Sequence, residues 1–118
     1  MNPNFFYQPE AQFCADFIPY YENGVYHLFY LRDFRGDPAY GEGIPWYQVE
    51  TKDFVHFEDQ GEMLPKGTSE EQDLYVFTGS VIKAKGQYHI FYTGYHIDSE
   101  FPQTICHAVS DDCVTFEK

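Results

Sequence analysis

Apolar and aromatic residues along the chain are gathered into short runs separated by clusters of Gly, Pro, Asn and acidic residues, and no stretch has the spacing of a useful amphipathic helix. Runs bounded in this way predict strands. In the first half, Asp16–Tyr21 leads through the turn Glu22-Asn23-Gly24 into Val25–Leu31, followed by Trp46–Glu50 and a short run at Val55–Asp59. The second half follows suit, with Phe77–Lys83, the turn Ala84-Lys85-Gly86, then Gln87–Thr93, Thr104–Val109 and Val114–Glu117. Segments 32–45 and 62–73, rich in Gly, Pro and acid, are predicted loops, where functional residues concentrate.

The two halves are copies. Tyr26-His27-Leu28-Phe29-Tyr30 recurs as Tyr88-His89-Ile90-Phe91-Tyr92, each with a glycine two residues ahead, Gly24 or Gly86. Thr51-Lys52-Asp53-Phe54-Val55-His56-Phe57-Glu58 recurs as Ser110-Asp111-Asp112-Cys113-Val114-Thr115-Phe116-Glu117. A repeated four-stranded unit whose strands are apolar on both faces is the pattern of propeller blades. The prediction is an all-β chain of two four-stranded antiparallel blades, blade one over about 11–60 and blade two over about 74–118. Two blades leave the ring incomplete, since propellers close with about four to eight. If the piece is stable alone, its uncovered faces predict a homo-oligomer.

Composition narrows the function. At 118 residues the chain is one domain or part of one, and 43% hydrophobic residues are enough to pack a core. An aromatic content of 20% favours strands. A net charge of -12 argues against nucleic acid as a partner, because phosphate binding would work against the field. Aromatic faces and carboxylates instead suit a neutral carbohydrate. No apolar run approaches the ~20 residues of a membrane span, and the first residues have neither a basic region nor an apolar one, so the expected location is cytoplasmic without membrane association. Cys14, Cys106 and Cys113 lack the spacing of a disulfide framework or zinc site and are expected to be reduced. No metal and no cofactor are implied. His27 and His89 hold the same place in each copy and read as structural.

Asp16 is the leading chemical candidate: a carboxylate between Phe13-Cys14-Ala15 and Phe17-Ile18-Pro19 is costly unless paired or functional. Trp46 is the only tryptophan; an indole can stack on a sugar ring and donate a hydrogen bond.

These residues carry a family resemblance over essentially the whole chain. Trp46-Tyr47-Gln48-Val49-Glu50-Thr51-Lys52-Asp53-Phe54-Val55-His56-Phe57 resembles the Trp-Gly-His-Ala-Thr-Ser-Lys-Asp-Leu-Val-His-Trp segment of glycoside hydrolase family 32, the invertases and fructan hydrolases. Tyr26–Tyr30 is similar to its Tyr-His-Leu-Phe-Tyr and Phe77-Thr78-Gly79-Ser80 to its Phe-Ser-Gly-Ser, while Cys14-Ala15-Asp16 falls at its Asn-Asp-Pro-Asn-Gly. Ala15-Asp16 also resembles the Ala-Asp start of the related five-bladed family 43. The resemblance implies a five-bladed propeller glycosidase acting on fructosides or related small glycosides. Asp16 would be the nucleophile of a retaining mechanism if the family 32 pattern holds, or the general base of an inverting one if family 43 does. Trp46, Phe77 and Thr78 would contact the sugar.

The chain departs from family 32 in two places. The asparagine before the aspartate is replaced by Ala15, and Leu31 stands where a substrate-binding glutamine follows Tyr-His-Leu-Phe-Tyr. Arg32, Asp33 and Asp73, in the loops beside these motifs, are the candidates to replace that contact, with surface solvation as the alternative role for each. The resemblance also places the Arg-Asp-Pro and Glu-Cys motifs, with the acid/base glutamate, in the third and fourth blades. A glycosidase needs two carboxylates, so hydrolysis by these 118 residues alone is not expected. The alternative is a non-catalytic carbohydrate-binding or self-assembling β module.

Overall fold

In the computed structural model, residues 7–34, 36–38 and 43–118 are described. Seven strands form two antiparallel sheets: β1 (Phe13–Glu22), β2 (Val25–Asp33), β3 (Trp46–Thr51) and β4 (Glu58–Leu64) in the first, β5 (Tyr75–Ala84), β6 (Gln87–Tyr95) and β7 (Gln103–Ser110) in the second. Each sheet is a meander in chain order. The described residues contain no helix.

The predicted hairpins form at their glycine turns, where Asn23-Gly24 and Lys85-Gly86 all adopt positive φ, the combination a tight two-residue connection requires. Tyr26 pairs with Tyr21 across the first hairpin and Tyr88 with Lys83 across the second, so the repeated Tyr-His-x-Phe-Tyr strings lie in equivalent register. Side chains alternate across each strand. From the first sheet, Ile18, Phe29, Leu31, Trp46, Met63 and Leu64 are buried against Val76, Val81, Ile90, Tyr92, Ala108 and Cys113 of the second. The two sheets are therefore stacked as neighbouring blades.

The fourth strands differ from the sequence expectation. In the first blade the strand is Glu58–Leu64 rather than Val55–Asp59, and it takes in the start of the predicted loop 62–73. The cause is local. Thr51 Oγ1 accepts from the backbone N–H of Phe54 (2.9 Å), and Asp53 Oδ1 accepts from those of Val55 (2.9 Å) and His56 (2.8 Å). Side chains thus take the donors a ladder would need, and the chain turns with Phe54 at φ 61. Ser110 and Asp112 do the same in the second blade, accepting from Cys113 (3.0 Å), Val114 (2.9 Å) and Thr115 (2.8 Å). There the expected strand Val114–Glu117 is reduced to a single bridge between Val109 and Glu117, leaving three described strands.

Candidate active site

The first strands of the two blades share one irregularity. β1 loses register with β2 between Ala15 and Ile18, and β5 with β6 between Val76 and Gly79. Asp16-Phe17 and Phe77-Thr78 are therefore equivalent two-residue bulges, devices that re-aim side chains. β1 and β5 lie against each other, and the ion pair between Lys83 Nζ and Glu22 Oε1 (2.8 Å) joins their far ends. The strands run in the same direction, so both bulges lie at the opposite end.

Asp16 is exposed, with φ 53, a left-handed conformation that Asp tolerates better than most residues. The sequence suggested a carboxylate held within an apolar strand. The bulge resolves that cost by turning Asp16 out to water while Phe17 stacks on Tyr30 (centroids 5.2 Å apart) and Ile18 enters the core. Thr78 is also exposed and Phe77 half-buried, its ring 5.6 Å from that of Tyr95. Gly79 is required here, because a Cβ would run into the Phe91 carbonyl of the adjacent strand.

Trp46 sits at the same end but beneath the surface. Its side chain is wholly buried, and the indole Nε1 donates to the carbonyl of Phe77 at 2.8 Å. Asp73 is also buried, as acceptor from the Tyr92 hydroxyl (2.7 Å) and in an ion pair with Lys118 (2.6 Å). Burial and this bond raise the Tyr92 pKa above the ordinary phenol range. Both carboxylate and indole are engaged inside the protein. Asp33 ends β2, half-buried and paired in register with Phe13. Of the sequence candidates, Asp16, Phe77 and Thr78 are brought to one edge of the stacked blades, while Trp46 and Asp73 lie behind it.

Gln48 was not singled out in the sequence. It is fully buried and donates through Nε2 to the carbonyl of Cys113 in the second blade (2.7 Å), while Oε1 accepts from His27 Nδ1 (2.8 Å). The only signal was an amide set between Tyr47 and Val49 in the strand. The structural reading of the histidines fits this geometry, and His89 likewise contacts His107 (2.9 Å) and the Ala84 carbonyl (3.1 Å). Among the described residues no cluster of His, Cys, Asp and Glu is arranged to hold a metal ion.

Residues 6–118 match the profile of the Glycosyl hydrolases family 32 N-terminal domain. The chain belongs to glycosyl hydrolase family 32. It is 42% identical over 67 residues to a levanbiose-producing levanase of Geobacillus stearothermophilus, covering 57% of this chain and 16% of that protein. It is 34% identical over 103 residues to a sucrose-6-phosphate hydrolase of Vibrio alginolyticus, covering 83% of this chain and 20% of that one. The chain thus spans a fifth or less of the length of these two relatives. The β-fructofuranosidase of Schwanniomyces occidentalis, solved with fructosyl-erythritol, superposes with a TM-score of 0.76 at 20% identity, covering 98% of this chain and 25% of that structure. That likeness establishes the propeller-blade fold.

Proposed function

We propose that the complete protein carrying this sequence hydrolyses O-glycosyl bonds of fructosides or related small glycosides, with Asp16 as the carboxylate that meets the anomeric carbon. The observation that carries this reading is the placement of Asp16. It is an exposed acid on a bulge, beside the equivalent bulge of Phe77-Thr78, in a family 32 chain. In the retaining form the Asp16 oxygen bonds to the anomeric carbon as the glycosidic bond breaks. A second carboxyl group, from a later blade, protonates the leaving oxygen, and water then cleaves the glycosyl-aspartate. Thr78 and the ring of Phe77 offer a hydroxyl and an apolar face to the sugar. The free cysteines suit a reducing, cytoplasmic setting.

The test is Asp16→Asn in the complete protein with sucrose or levan as substrate. Asn suits the left-handed backbone, so folding should persist while kcat falls ~100-fold or more. Undiminished turnover would remove Asp16 from the mechanism.

One observation favours the assembling-module reading for the isolated chain. The outer face of the second sheet presents Ile82, Phe91 and Ile105, the last 84% exposed, an apolar surface suited to a second copy. Sedimentation of the chain alone distinguishes a monomer from such an assembly.

A further inference from the structure

The position of Phe77-Thr78 relative to Asp16 depends on a contact between blades. Phe77 and Thr78 have no partners in the β5–β6 register, so the bulge lacks the ladder that fixes its neighbours. A donor reaches it from outside its own sheet: the Trp46 indole N–H of the first blade donates to the Phe77 carbonyl at 2.8 Å. Trp46 can act as a fixed post because its ring is fully buried among Phe29, Leu31, Leu64 and Val76, and its backbone pairs with Leu31 on one side and Leu64 on the other. We infer that Trp46 is a positioning residue. Through the Phe77 carbonyl it sets where the Phe77-Thr78 bulge stands beside Asp16, and it does not itself touch the sugar.

This inference rests on the proposed sugar site for its functional meaning, but its physical content can be measured apart from turnover. In the complete protein, Trp46→Phe keeps an aromatic ring and removes the donor. Backbone hydrogen exchange at residues 76–80 should then accelerate roughly tenfold more than at Ile90 and Ala108, which pair with each other in the regular β6–β7 ladder outside the bulge. If acceleration is equal at both places, or absent, Trp46 only fills volume and the inference is overturned. Should the Phe variant fail to fold, replacing Trp46 by 3-benzothienylalanine keeps the ring size and removes only the N–H.

A second readout uses fructose as the probe. The Trp46 indole proton resonance should stay in place when sugar is added to the Asp16→Asn protein, whereas a shift of the size expected for a stacked sugar would overturn the inference. The two readings fail separately. Intact hydrolysis by Asp16→Asn would sink the catalytic assignment, while selective exchange in the Trp46→Phe protein would still uphold the positioning role.

Discussion

The side-chain amide of Gln48 lies 2.7 Å from the carbonyl of Cys113, and this bond fastens the third strand of one blade to the turn that closes the next. A carbonyl can only accept, so Gln48 presents Nε2 to Cys113 and leaves Oε1 for His27 Nδ1, which must then carry its proton. Trp46, two residues earlier on the same strand, makes the corresponding bond at the other end. Strand β3 thus joins the blades through two side-chain donors, each bonded to a backbone carbonyl of the second blade.

Gln48→Leu keeps similar bulk but leaves the Cys113 carbonyl buried without a donor. The expected loss is about 1–3 kcal/mol of unfolding free energy, with the urea slope unchanged. Equilibrium urea denaturation of the wild-type and variant proteins measures it. An unchanged midpoint would mean that the inter-blade bond contributes nothing net.

The two aspartate turns give a pH dependence with a definite sign. The His56 ring and the backbone amides of His56 and Val55 hold the Asp53 carboxyl well below the usual range. The amides of Thr115 and Val114 and the Ser110 hydroxyl lower that of Asp112. A carboxyl group depressed on folding adds stability above its unfolded value, about 3.9, and loses it as pH falls through the folded one. Stability should therefore decline below about pH 4, and Asp53→Asn combined with Asp112→Asn should flatten that decline. Thermal melts from pH 7 to pH 2 follow it. An equally steep decline in the double variant would assign the acid sensitivity to other carboxylates.

Cys113 should be unreactive in the native protein. Burial, followed by the charges of Glu22, Glu50 and Asp112, pushes its thiol up to about 12, and its side chain is only 1% exposed. Thiolate is the reactive form. Iodoacetamide at pH 8 should label Cys113 only after unfolding, as read by peptide mass spectrometry. Rapid native labelling would show that the turn opens readily.

The tandem blades were legible because their information is local and doubled. Hairpin glycines, alternating aromatics and the recurring Tyr-His-x-Phe-Tyr string specify strands and turns through the backbone conformations they allow. The family pattern around Asp16 and Phe77-Thr78-Gly79-Ser80 was equally legible, since it is a string of neighbours. The same Thr51/Asp53 and Ser110/Asp112 spacing that revealed the repeat also carried the turn chemistry that moves the fourth strand. It was visible, but its capture of backbone amides shows only in three dimensions.

What the sequence determined by itself was the two hairpins, the repeat and the family pattern around Asp16, because each follows from residues close along the chain. Tertiary structure decided which side chains meet the surface. Trp46 and Asp73 look like sugar contacts by type, yet they are buried, since the stacking of the second sheet covers Trp46 and brings Tyr92 and Lys118 to Asp73. Asp16 went the other way, from an apolar run to solvent, because a bulge breaks the alternation that a regular strand would impose. Burial depends on what lies across the interface, and that partner stands 31 residues away for Trp46 and 65 for Gln48. No local pattern encodes separations of that length.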